Sequence, residues 1–392
     1  MNIIMNKYWI LMGLFATVAL TGCRKEDDEP TPDDQTPLSV PATYEYTDAD
    51  GNSTVSYNGQ AQRLEMLSEM TSYLKTANTP GTAVDAQTLK DMYANNGYTW
   101  IDADNLGMTG SSKQLKSKTA AGGGTADPTV QAYYENLMDE VDALSQTTTE
   151  DITDGGPGQG GVVLSTTNSS KQYLQNANGI EYTQLIEKGL MGAVFYNQIC
   201  VVYTGSDKMD VDNTTAVDPD NGKYYTAMEH HWDEAYGYFT TATDYPNSGT
   251  DRFWGKYANS RENVLGTASA LSEAFRTGRA AIAAGDLDAR DAQIAIIRNE
   301  MERAAGGTAI HYLNSAVANF GDDALRNHAL SEAWAFMGAL PFGYEPVINN
   351  AELQAMYDTI GDDFYAVTTT TLLEVRDQLA TLMNMEDVKE SL

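Results

Sequence analysis

Cysteine is almost absent: the 392-residue chain has two. That number cannot build a disulfide framework. Cys23 stands at the end of a leader-like N-terminus. Cys200 lies in the apolar run Ile199-Cys200-Val201-Val202, where a small buried hydrophobe is expected rather than a nucleophile. Positive charge is also scarce, with 24 Lys and Arg against 55 Asp and Glu and a formal net charge of −31. Such a surplus repels nucleic acid and anionic headgroups, so nucleic acid is excluded as a partner class. Several chemical signatures are missing. There is no Gly-x-Ser-x-Gly elbow and no His-Glu-x-x-His zinc helix. The Gly-rich loops 120–125 and 155–161 lack the strand, helix and Lys of a phosphate-binding loop. The acidic loops 205–222 and 48–52 are out of register with the EF-hand template and read as solvated connectors. Strand signals are few, and no sustained heptad supports a coiled coil.

What is present begins at the N-terminus. Lys7 precedes an apolar run from Tyr8 to Leu20, which ends in Leu20-Thr21-Gly22-Cys23. This is the pattern of a secretory signal over residues 1–22 ending in a bacterial lipobox. Cleavage before Cys23 and lipidation of its thiol would anchor the protein to a membrane without crossing it. An uncleaved span is the alternative, and the run is short for one. Residues 23–42 are acidic and Pro-rich and read as a tether. The Lys25-Glu26-Asp27-Asp28 stretch resembles the export signal of Bacteroidota lipoproteins. That resemblance implies an outer-membrane lipoprotein exposed at the cell surface, with the periplasmic face as the other option.

The body alternates helix-period segments with loops rich in Gly, Asp, Asn and Thr. Helices are predicted over 59–77, 84–96, 128–146, 180–204, 223–242, 261–283, 286–319, 323–340 and 365–384. Asp127-Pro128 is a strong start signal, with Asp capping and Pro in the first turn. Short extended pieces are expected at 44–46 and 162–164. The fold class is all-α, an array of antiparallel helices expected as two bundles over 43–205 and 206–392.

Histidine is scarce as well, four in all, and two stand together in Thr226-Ala-Met-Glu-His-His-Trp-Asp-Glu-Ala-Tyr-Gly-Tyr-Phe239. On a helix, His231 shares a face with Ala227, Met228, Ala235 and Tyr238 and is expected to point inward, with Glu234 in side-chain reach. His230 and Asp233 fall on the flank expected to be wetter. Glu187 sits near the centre of the apolar stripe of its helix and needs a partner. His328 and Glu332 are one turn apart, and Glu332 leans toward Leu325 and Phe336. His311 lies on a small-residue face opposite Ile310 and Leu313. If Glu187, His231, Glu234, His311 and Glu332 converged, imidazole and carboxylate would suit iron, zinc or manganese. The alternative is a buried hydrogen-bond network without a ligand. Arg252-Phe-Trp-Gly-Lys-Tyr257 fits a helix-packing segment better than a sugar-contacting rim.

The segments YNGQAQRLEML, NANGIEYTQLIEKGLMGAVFYNQI, the His-His stretch, FWGKYANSR, AAGGTAIHYLN and HALSEAWAFMGALPF resemble, in this order, a Bacteroidota lipoprotein family catalogued as domain of unknown function 4856. That family is more distantly similar to imelysin-like proteins, which are envelope-associated and built from two helical bundles. The resemblance implies a metal or metal-bearing ligand, iron acquisition beside an outer-membrane transporter or another envelope protein, and in some members a peptidase. The imelysin hallmark is Gly-x-His-x-x-Glu. His231 and Glu234 match it, but Glu229 stands at the Gly position. Three functions therefore remain: metal or metal-ligand binding, an imelysin-like metallopeptidase with Glu234 as base, and a structural or interaction lipoprotein.

Overall fold

A computed structural model describes residues 38–122, 125–150, 153–247 and 252–392. The expected signal, Cys23 and the tether as far as residue 37 lie outside the described residues. The body is all-α, with two small antiparallel strand pairs. Helices α1 (Asn58–Thr76), α2 (Ala86–Ala94), α3 (Pro128–Ser145) and α4 (Tyr182–Leu190) come first. They are followed by α5 (Ser206–Met209), α6 (Ala227–Phe239), α7 (Phe253–Leu265) and α8 (Thr267–Ala284). The chain closes with α9 (Leu287–Ala318), α10 (Asp323–Ala339), α11 (Asn350–Ile360) and α12 (Thr369–Leu382). Strands β1 (Gly161–Leu164) and β2 (Gln172–Gln175) form one hairpin, and β3 (Ala216–Asp218) with β4 (Lys223–Thr226) form the other.

Local chemistry explains most boundaries. Asp127 accepts from Thr129 N at 2.8 Å and starts α3, with Pro128 in the first turn. Thr226 and Glu229 cap α6 reciprocally: the Thr226 hydroxyl accepts from Glu229 N, and the Glu229 carboxylate accepts from Thr226 N at 2.8 Å. The helix expected from 223 therefore begins four residues later, because 223–226 pair as a strand. The helix expected over 261–283 is two helices. Gly266, at φ 70°, separates α7 from α8 in a left-handed conformation that glycine adopts without strain.

Leu38–Leu392 forms one compact unit. Helix α9, 32 residues long, packs against α8, α10, α12 and α7, while α4 crosses from the first half onto α10. Beyond Leu190 the helix continues in π-helical turns, Met191–Tyr196 and Gln198–Tyr203. Tyr182–Tyr203 is long and apolar enough to cross a membrane, yet most of it is core here.

A fully buried arginine holds the N-terminal segment to α6 and α8. Arg279 on α8 donates to Glu229 at 2.7 Å, to Asp233 at 3.0 Å and to the Thr54 carbonyl at 3.1 Å. Tyr44 donates to Asp233 at 2.8 Å and stacks on Tyr236 with ring centroids 3.6 Å apart. Asp233 is thus fully buried, contrary to the expectation of a wet flank. The cause is that Tyr44 and α8 cover that side of α6.

Helices α6 and α8 approach through Gly278, where an added Cβ would lie 2.1 Å from the Trp232 ring. Gly278→Ala is expected to destabilise by about 1–3 kcal/mol through overpacking. Urea unfolding of both proteins checks this, with a lower midpoint at unchanged slope.

Candidate functional site

The five side chains expected to converge fall in three places. The first is α6. Its least buried stripe carries Ala227, His230, His231 and Glu234, at positions i, i+3, i+4 and i+7. His231 therefore lies at the boundary, with 19% of its side chain exposed, rather than in the core. The reason is again burial on the opposite flank, where Trp232, Asp233 and Tyr236 are enclosed.

Glu234 is the centre of this cluster. Its Oε2 lies 2.9 Å from His231 Nδ1, with His230 Nε2 at 3.9 Å. Its Oε1 accepts from Gln60 Nε2 and from Tyr203 Oη, both at 3.0 Å. Burial alone would raise the Glu234 pKa. The hydrogen bond with His231, the charge of His230 and the Gln60 amide outweigh it and hold the carboxyl at about 2. His230 has its own partner, the Ser56 carbonyl at 3.0 Å from Nδ1, and stacks on Tyr225. Burial pushes the His230 pKa down. The ammonium groups of Lys118 and Lys208 lie 5.7 and 6.0 Å from the Tyr203 ring centroid.

The second place unites Glu187 and Glu332 through a residue that the helical pattern did not single out. Lys188, 4% exposed, lies between them on α4, 2.6 Å from Glu187 Oε1 and 3.5 Å from Glu332 Oε1. Lys75 of α1 adds an ion pair to Glu187 at 3.1 Å. On the far side, His328 Nε2 is 3.6 Å from Glu332, and its Nδ1 is 2.6 Å from Glu181, which is fully buried. Three carboxylates thus face Lys75, Lys188 and His328, a balanced set when the imidazole is protonated. Burial disfavours the Lys188 ammonium, but Glu187 and Glu332 outweigh it and raise its pKa above the usual value. Burial likewise opposes the Glu187 carboxylate, and Lys188 with Lys75 overcomes it, lowering that pKa. For His328, burial favours the neutral ring, but the charge and hydrogen bond of Glu181, helped by Glu332, raise its pKa.

The third place is His311 alone. Burial and the Arg261 charge lower its pKa, and it meets the ring of Tyr312 edge-on. Cys200 is buried, which pushes its thiol pKa up and suits a core hydrophobe. Among the described residues, no group of three or more His, Cys, Asp and Glu side chains is disposed to hold a metal ion. The His230, His231 and Glu234 turn does not fit one as it stands, because Glu234 spends both oxygens on protein donors.

With the geometry in place, comparison with known proteins adds one positive finding. A family model described as "Domain of unknown function (DUF4856)" matches residues 41–385. The chain belongs to that family. No curated protein and no solved structure matches it. The matched span contains the α6 cluster and the complete buried ion chain.

Two outcomes follow from the ion chain. Lys188→Met leaves two buried carboxylates without their shared cation and is expected to cost about 3–5 kcal/mol, read from the urea midpoint. The His328 pKa is raised in the folded state, so its stabilisation is full below about 6.5, the unfolded value, and is lost as pH rises through the folded pKa. Unfolding free energies from pH 5.5 to about 8.5 should fall with pH in the wild type, and more shallowly in His328→Gln.

Proposed function

We propose that the protein is a non-enzymatic, lipid-anchored helical body that holds a partner or ligand at the bacterial envelope. Its internal histidines and carboxylates then serve structure and specificity. The observation that carries this reading is the engagement of both Glu234 oxygens by protein groups, Gln60 and Tyr203 on one and His231 on the other. A general base needs a pKa near the working pH. A carboxylate held at about 2 is a weak base. The matched hallmark residues are thereby accounted for as a structural cluster, and Glu229, standing where the hallmark has Gly, is used as a helix cap and an Arg279 partner. The lipobox and tether support anchoring through Cys23 at the outer membrane. The outward-facing charge favours a cationic or charge-screened partner, such as an envelope transporter.

The test uses the lipidated protein purified without chelator, with His231→Ala and Glu234→Gln alongside. Metal analysis, zinc and iron titration, and digestion of denatured casein with and without chelator are the readouts. Expected are no stoichiometric metal, no chelator-sensitive cleavage, and lowered melting temperatures for both variants. Bound iron or zinc that disappears in His231→Ala would restore the metal reading. Chelator-sensitive cleavage lost in Glu234→Gln would restore the peptidase. In the same preparations, Cys23→Ser should move the protein from the membrane to the soluble fraction, and continued membrane attachment would refute the anchor.

A further inference from the structure

The run Arg252 to Tyr257 separates into two kinds of residue. Its aromatic members pack: Trp254 is fully buried, with its indole N–H donating to the Met191 carbonyl at 2.9 Å, and Phe253 and Tyr257 are buried as well. Its cations are less enclosed: Arg252 is half-buried and Lys256 exposed. Arg252 and Lys256 line a cleft of about 300 Å³ together with Lys75, Thr71, Ser68 and Glu187. In a chain with 24 basic residues against 55 acidic ones, three cations around one small cleft form a local reversal of charge.

Two of the three are partly compensated, Lys75 by Glu187 and Arg252 by Glu65. Lys256 has no ion-pair partner among the described residues. It is exposed, and its ammonium lies 5.6 Å from the Tyr257 ring centroid. The carboxylate on the cleft wall is itself engaged from behind by Lys188 at 2.6 Å, which weakens its claim on the rim cations. Two further observations point to a ligand. Thr71 lines the cleft, and its hydroxyl is buried without a hydrogen-bond partner, an arrangement that costs free energy unless something meets it. Phe253 holds φ at 48°, a left-handed conformation unfavourable for a bulky residue. Strain of this kind concentrates where a chain must present particular side chains, and here it falls on the first residue of the helix bearing Lys256, next to Arg252.

We propose that this cleft binds a small ligand through an oxyanion group, held by Lys256 with Arg252 and Lys75 and hydrogen-bonded by Thr71. Arg252 supplies planar N–H donors suited to a carboxylate, sulfate or phosphate, and Lys256 supplies the uncompensated charge. The site is distinct from the α6 cluster and stands whether or not that cluster holds a ligand.

Calorimetric titration of the full mature protein with sulfate, inorganic phosphate and gluconate, at low ionic strength, tests it. Saturable binding of at least one probe is expected, and the tightest of the three assigns the class of anion. Lys256→Gln should weaken that probe about 10-fold, the loss of one charge-assisted contact, and Thr71→Val should weaken it by a smaller factor. Lys90→Gln, at a lysine on α2 outside the cleft, should leave it unchanged. Lys256 is exposed, so its variant should melt like the wild type. Absence of saturable binding to all three probes would overturn the proposal, as would equal weakening by Lys256→Gln and Lys90→Gln.

Discussion

A lysine ammonium enclosed between two helices governs how the two halves of this chain can pack. Lys188 reaches Glu187 on its own helix and Glu332 on α10. Desolvating any one of these charges alone costs several kcal/mol, and only close, well-oriented partners repay it. Sliding α4 by one turn along α10 would move Lys188 by about 5.4 Å and leave the buried Glu332 without that cation. Apolar packing alone would tolerate several relative positions of two helices. The ion chain tolerates one, so its contribution is to register more than to net stability.

The chain extends beyond the helix pair. His328 carries it to Glu181, and the His328 ring is stacked on Tyr173 of β2 with centroids 4.0 Å apart. The same hairpin region is tied to the start of α10 by Asp322. That carboxylate caps Leu325 N with one oxygen and takes hydrogen bonds from Ser165 and Thr167 with the other. A small hairpin with little core of its own is thereby placed by polar contacts at both ends. Arg279 performs the corresponding task between α8, α6 and the N-terminal segment, joining Thr54, Glu229 and Asp233. Two buried cations with mixed partners thus locate the irregular segments, and apolar packing around α9 fills the space between them.

These two networks also explain what was legible in the sequence. Helices with local start signals were readable: Asp127-Pro128 marked α3 to the residue, and the apolar stripes of α1, α9 and α10 placed those helices within a residue or two. Helix α11 is not legible in the periodicity although Asn349 and Glu352 form a capping box, because its apolar face is short. Glu187 and Glu332 were legible as buried carboxylates needing a partner. Lys188 was not, because neighbouring helical residues point about 100° apart and a lysine beside a core-facing residue is normally assigned to water. That inference fails on α4, where Thr183 to Leu190 are all buried and no wet face exists. The same assumption misplaced Asp233 and His231. The periodicity implies a one-sided helix, while α6 is enclosed on most sides and leaves only the Ala227, His230, His231, Glu234 stripe near solvent.

The distribution of basic residues bears on how the body meets its surroundings. Six of the 24 Lys and Arg, namely Arg63, Lys188, Arg279, Arg290, Arg326 and Arg376, are buried among the described residues. Eight Asp and Glu side chains are buried with them, so the interior is nearly neutral and the surplus of negative charge remains outside. Its field extends about one Debye length, near 8 Å at physiological ionic strength. A body of this charge is repelled by an anionic surface. Against such a field, a small anion can dwell only where cations are gathered and partly shielded by the protein. The cleft at Lys75, Arg252 and Lys256 meets that condition, and the α6 cluster, centred on an ionised Glu234, does not.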